Sequence, residues 1–157
     1  MTDTTSKQPP PSLGFVISDV ARLIRRNFNR RVQHLGLTQA QWQVLAHLSR
    51  NEGIRQIQLA DVLDMQPISV ARIIDRMAAA GWVERRPDPA DRRAVNLYLA
   101  PKASPILEQM WQHGAETRQQ ALQQIPAAQQ EQLLQLLLTM RENLSQDNLS
   151  TGSESNP

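Results

Sequence analysis

Apolar residues in this chain recur mostly at helical spacing, and one stretch breaks that rhythm for a period of two. From Leu13 to Leu35 the positions Phe15, Val16, Val20, Leu23, Ile24, Phe28, Val32 and Leu35 return every three or four residues, which predicts a long amphipathic helix that Gly36 ends. Thr38 followed by Gln41 is a capping-box pattern, so a second helix begins there and buries Trp42, Val44, Leu45 and Leu48 before Asn51 and Gly53 close it. Gln56 to Leu63 reads as a short helix carrying Ile57, Leu59, Ala60, Val62 and Leu63, and Asp64, Met65 and Gln66 form a turn. Pro67 then opens another helix, because a proline in the first turn loses no hydrogen bond that the helix would have made.

That next helix divides its faces sharply. Val70, Ile74 and Met77 make an apolar stripe, and Ser69, Arg72 and Arg76 make a polar one. At about 100° per residue the two stripes lie roughly 130° apart, so one can be buried while the other presents a hydroxyl and two guanidinium groups. Ala78, Ala79 and Ala80 carry the helix to Gly81, a residue suited to a left-handed stop. Two strands follow, with Val83 facing inward in the first and Val95, Leu97 and Leu99 alternating with Asn96 and Tyr98 in the second. Pro87 and Pro89 cannot donate ladder hydrogen bonds, which places Pro87 to Arg93 in the connecting loop.

Pro101 starts a further long helical segment through Met110, Trp111 and Leu122, which Pro126 breaks. The last helix, Ala127 to near Leu144, holds Leu133, Leu134, Leu136, Leu137, Leu138 and Met140. This is more apolar surface than a thin surface helix needs. Together with the apolar first helix it predicts a homodimer joined through the first and last helices, the alternative being that the two helices pack only on each other. Met1 to Ser12, with three consecutive prolines, reads as a disordered or extended arm, and residues 146–157 as a polar tail. The expected fold is mainly α with a small β-hairpin wing (α+β): a winged helix-turn-helix over residues 13–145. Its DNA-binding lobe spans about 37–100, between dimerisation helices at 13–35 and 102–145.

Composition narrows the chemistry. A chain of 157 residues is one domain's worth. It has no cysteine, so disulfides, thiolate metal sites and thiol redox switching drop out. His34, His47 and His113 lack metal-ligand spacing, and neither a metal nor a cofactor is expected. No placed nucleophile and base, glycine-rich phosphate loop or carboxylate pair argues for an enzyme. No run reaches the length of a membrane span and the start lacks a signal peptide's apolar core, so a cytoplasmic protein without a membrane partner is expected. The net charge of +2 hides an uneven distribution: Leu13 to Ala100 carries 13 arginines against 8 carboxylates, net +5, while Pro101 to Pro157 is net −3. A basic front and an acidic back suit an anionic polymer on one side. Arg22, Arg25, Arg26, Arg30 and Arg31 on the first helix fit a solvated face, phosphate contact or salt bridges across a dimer equally.

The order of elements, together with the wing sequence DPADRRAVNLYLAPKA, resembles the MarR family of bacterial transcription regulators, including its SlyA-like members. The resemblance runs from about Leu13 to Leu144 and is most specific at Asp88-Pro89-Ala90-Asp91-Arg92-Arg93. One departure is Pro-Lys-Ala after the wing, where the family often has Thr-x-x-Gly. The resemblance implies a homodimer on a pseudo-palindromic DNA operator, often a repressor released by a small aromatic or phenolic ligand. The family's Ser-x-x-Arg is matched by Ser69 and Arg72, and its wing Asp-x-Arg by Asp91 and Arg93. Members that sense peroxides use a cysteine, which is absent here.

Physical chemistry assigns roles to the same residues. Arginine forks onto O6 and N7 of guanine, so Arg72 and then Arg76 are the candidates for base readout. Gln66 and Ser69 sit where a helix N-terminus favours phosphates. Arg93, oriented by Asp91, suits a narrow A·T-rich minor groove, and Arg92 suits the backbone. A ligand pocket is expected among Phe15, Arg22, Trp42, His47 and Trp111, whose rings and charge can hold an aromatic anion; the same tryptophans also fit a plain core role. The rival to specific DNA binding is a winged-helix protein-interaction module.

Overall fold

The computed structural model describes residues 10–150 of the chain, with side chains to residue 145. Helix α1 spans Leu13–Val32 and continues into a single 3-10 turn, Gln33–Leu35, closed by Gly36 at φ 69°. Ser12 caps it by accepting from the Phe15 N–H at 3.3 Å. The expected arm therefore ends in a helix cap, and Met1 to Pro9 lie outside the described residues.

Helix α2 is Gln39–Leu48, with the expected capping box: Gln41 N–H donates to Thr38 Oγ1 and Thr38 N–H donates to Gln41 Oε1. A two-residue strand β1, Ile54–Arg55, comes next. It was not anticipated, because two residues show no period. Helix α3, Gln56–Val62, ends in a left-handed residue, Asp64 at φ 51°. Asp64 N–H reaches the carbonyl of Asp61 and Met65 N–H that of Ala60, so the turn closes as a Schellman motif with aspartate, one of the residues that tolerates this conformation, in the place glycine usually takes. Helix α4 is Pro67–Ala79, with proline at N1 as expected. Its end is a second Schellman motif, with Gly81 at φ 79° donating to Ala78 and Trp82 donating to Met77. Lys102 adds its ammonium to the exposed carbonyl of Ala80 at 2.9 Å, at the negative end of the helix dipole.

Strands β2, Val83–Pro87, and β3, Val95–Leu99, form the wing. The sheet has three strands in the order β1-β3-β2, all antiparallel, so the expected two-stranded hairpin gains a third member through Ile54↔Leu97 and Arg55↔Asn96. Pro87 belongs to β2, opposite Val95, and not to the loop: it sits at the strand's last position on an edge, where its missing donor costs little. Asn96, at an expected outward position, is buried, with Arg55 and Arg86 as its register partners on either side.

The chain divides into two compact units, Met1–Arg118 and Gln119–Pro157, with helix α5, Ser104–Ala121, running across the division. In the first, Val44, Leu45, Leu48, Leu59, Val70, Ile74, Met77 and Leu97 are fully buried together. The second holds helix α6, Ala127–Ser150. Helix α6 continues to Ser150, through the first residues of the expected polar tail, with no glycine or proline to interrupt it; residues 151–157 of that tail lie outside the described residues.

Candidate nucleic-acid interface

The geometry of α4 follows from its two stripes. Val70, Ile74 and Met77 are each 0% exposed, and their burial contributes about 1.5–3 kcal/mol apiece. Because that stripe fixes the helix's rotation, Arg72 and Arg76 are turned outward and exposed, Ser69 is half-buried at the edge, and Gln66 is the exposed N-cap.

Polar contacts place the wing against this helix. Arg85 stands on the inward face of β2, in register with Leu97. It donates from Nε to Gln56 Oε1 at 3.1 Å, from one terminal nitrogen to Asp75 at 2.6 Å and from the other to the carbonyl of Ala71 at 3.2 Å. One guanidinium thus ties β2 to the start of α3 and to two turns of α4. At the tip, Asp88 accepts from the N–H groups of Ala90 at 2.8 Å and Asp91 at 3.3 Å and from Arg55 Nε at 3.1 Å. The Ala90 amide, followed by the Arg55 guanidinium, holds the Asp88 carboxyl below the usual aspartate range. Asp91 accepts from the backbone N–H of Arg93 at 3.0 Å, so it shapes the loop that carries Arg93 and leaves the guanidinium to point elsewhere. On the outer face Arg86 pairs with Glu84 and lies 4.1 Å over the Tyr98 ring.

The arginines of this surface therefore fall into two groups. Arg55, Arg85 and Arg86 are held by carboxylates, carbonyls or a ring, whereas among the described residues the guanidinium groups of Arg72, Arg76, Arg92 and Arg93 have no hydrogen-bond or ion-pair partner. A cleft of about 200 Å³ lies between wing and helix, lined by Arg55, Gln56, Ile57, Pro67, Arg93, Ala94 and Val95. Arg93 of the wing and Pro67 at the start of α4 thus face one space.

Sequence reasoning named the unpaired arginines but missed Asp88 and Arg85, whose polar contacts fix the wing that carries Arg92 and Arg93. Both left a signal: Asp-Pro-Ala is an Asx-turn sequence, and Arg85 is a charge at a position that shares a face with buried Val83.

The five residues expected around a ligand have separate surroundings, and none lines the cleft. Phe15 and Trp111 are 73% and 60% exposed, and Arg22 is paired with Asp19. Trp42 packs edge-on against Phe28 at 4.6 Å between ring centres and donates to Asn29 Oδ1. His47 is half-buried; burial, and then the charge of Arg50, pull its pKa down. Among the described residues no cluster could hold a metal ion, and no helix is long and apolar enough to cross a membrane.

A short helix, a tight turn, a second helix with an exposed basic face and an antiparallel wing define a winged helix-turn-helix protein. Comparison narrows this further. The MarR family model matches residues 35–94, the span from the end of the 3-10 turn before α2 through the wing loop. The chain is 30% identical to wild-type MarR from E. coli, covering 85% of this chain and 98% of that one at a TM-score of 0.73. It is 31% identical to a mutant MarR from E. coli complexed with operator DNA, covering 82% and 92% at a TM-score of 0.67. A MarR transcriptional regulator from Methanosarcina mazei Go1 is 25% identical, over 85% and 96%, at a TM-score of 0.76. The chain belongs to the MarR family, whose members are transcriptional regulators and not enzymes.

Proposed function

We propose that this protein is a sequence-specific DNA-binding regulator that acts in the cytoplasm on the nucleoid, as a homodimer on a pseudo-palindromic operator, and represses transcription until a small aromatic or phenolic ligand releases it. The observation that carries DNA binding is the split among the arginines: Arg55 and Arg85 are used up in tying the wing to neighbouring elements and Arg86 within the wing itself, whereas Arg72, Arg76, Arg92 and Arg93 are left without partners among the described residues. The solved similarity to a MarR mutant complexed with operator DNA supports the same reading. Arg72 and Arg76 read base edges in the major groove, with Gln66 and Ser69 beside them on the phosphates or base edges. Arg93 enters the minor groove from a loop shaped by Asp91 and Asp88, and Arg92 contacts the backbone.

Dimerisation is supported by large apolar residues left exposed on α1, among them Leu13, Phe15, Val20 and Ile24, and separately on α6, where Leu133, Leu134, Leu136 and Leu137 are exposed. Isolated exposed leucines are ordinary, but two helices that each expose four or more large apolar side chains call for a partner. Ligand release rests on the family resemblance and on the open rings of Phe15 and Trp111, with Arg22, Trp42 and His47 as the other candidate contacts.

Selection of bound fragments from random duplex DNA, followed by titration at several salt concentrations, tests the reading in one experiment. It predicts enrichment of a two-fold symmetric sequence and affinity that falls steeply with salt, as counterion release requires. Binding with neither sequence preference nor salt dependence would support the protein-interaction module instead.

A further inference from the structure

Helix α4 exposes one large apolar side chain, Ile68, at 63%. Isolated, this would be unremarkable; its direction makes it informative. Taking the buried stripe of Val70, Ile74 and Met77 as the zero of direction, about 100° per residue puts Ile68 near 160° and Arg72 near 200°. Both therefore lie close to the point of the helix farthest from the core. Ile68 is one turn N-terminal to Arg72, and Arg76 and Ser69 lie farther round the helix on the Arg72 side. Arg72 and Arg76, cations without a partner among the described residues, say what covers this face: an apolar contact here sits beside groups that need an anion.

We propose that Ile68 is a specificity residue that reads the 5-methyl group of a thymine in the major groove. The inference rests on the DNA-binding reading above and adds to it. Thymine is the one base that presents a methyl group in that groove. A branched aliphatic side chain offers no hydrogen bond, so it gains by covering that methyl and loses by covering the cytosine amino group or a guanine oxygen, whose water it would displace without replacement. Four residues along a helix advance about 6 Å, and successive bases on one strand are about 3.4 Å apart. The thymine therefore lies one or two base steps from the guanine taken by Arg72.

The test uses the selected operator and the full-length protein. Each thymine of one half-site is replaced in turn by deoxyuridine, which removes the methyl and nothing else, and affinity is measured at fixed salt. For the wild type one position should weaken binding roughly threefold to fivefold, the equivalent of one methyl group taken out of contact. Ile68→Ala should bind the thymine operator more weakly, by a similar factor, and should bind the deoxyuridine and thymine operators equally at that position. Because Ile68 is exposed, its melting temperature should stay that of the wild type, and Ile68→Val should retain the discrimination. Wild-type affinity indifferent to every deoxyuridine replacement overturns the proposal, and so does an Ile68→Ala protein that still discriminates thymine from deoxyuridine. A selection that enriches no sequence fails earlier and overturns the DNA-binding reading itself.

Discussion

Helix α4 and the wing present arginines to the same side of the molecule and are held there by opposite means. The helix is fixed by three apolar side chains with no exposure; the wing is rooted in the same core by Val83 and Leu97, but its outer part is held by a guanidinium bridge and by an aspartate that gathers two amides and a second arginine. Burial is non-directional but dense packing leaves one rotation of the helix, so Arg72 and Arg76 are aimed by what happens on the far side of their own helix. Hydrogen bonds are directional and individually modest, so the wing is aimed locally and can be altered without loss of the fold. A base-reading element benefits from the first arrangement, and an element that must fit a groove of variable width benefits from the second.

The largest effect should come from breaking the helix's means of support. Ile74→Ala removes a fully buried side chain from the middle of the stripe and should cost about 2–5 kcal/mol of stability, with loss of DNA binding following from loss of structure. Denaturant unfolding measures this. A cost below 1 kcal/mol would mean that α4 is not oriented by its stripe.

Arg72→Ala leaves the support intact and removes the reader. Discrimination between operator and random duplex should fall by about 1–3 kcal/mol while the melting temperature holds. Unchanged discrimination in a salt-controlled titration would take base readout away from Arg72. Arg93→Ala should behave differently: a loss spread evenly over major-groove variants, sensitive to A·T content in the flanks, with the slope of log affinity against log salt reduced by about one. The same salt slope in the variant and the wild type would show that the wing tip makes no phosphate or groove contact.

How much of this was legible in the chain follows the same division. The stripes of α4, its proline start and glycine stop, the capping box at Thr38 and the alternation of Val95, Leu97 and Leu99 are periodic or local signals, and each appears where the sequence puts it. Strand β1 is two residues long and owes its existence to pairing with β3 some 40 residues later, which no local pattern records. Asn96 keeps its place in the alternation yet is buried, on a central strand paired on both sides, at Arg55 and at Arg86, which the local pattern does not record. Arg85 and Asp88 were visible as charges near the wing, but their partners Gln56, Ala71, Asp75 and Arg55 are supplied by the tertiary fold. The charge of a residue was readable from the chain; whether that charge is already spent on the protein was not.

The smallest effect tests whether Asp88 is the group that shapes the wing tip. Its carboxyl is held below the ordinary aspartate range, first by the Ala90 amide and then by Arg55. A group whose folded pKa is lowered binds its proton less readily in the folded chain than in the unfolded one. Its contribution is therefore complete above the ordinary aspartate value, near 4, and disappears as pH falls through and below it. Exchange protection of the Ala90 and Asp91 amides should accordingly be flat from pH 7 to pH 5 after correction for intrinsic rates, and should drop only in stronger acid. Asp88→Asn, which keeps an acceptor oxygen but loses the ion pair with Arg55, should weaken that protection at neutral pH and remove the acid step, while the core amides of α4 stay protected. Loss of wing protection already between pH 7 and pH 5, or an acid step that persists in Asp88→Asn, would assign the shape of the wing tip to some other group.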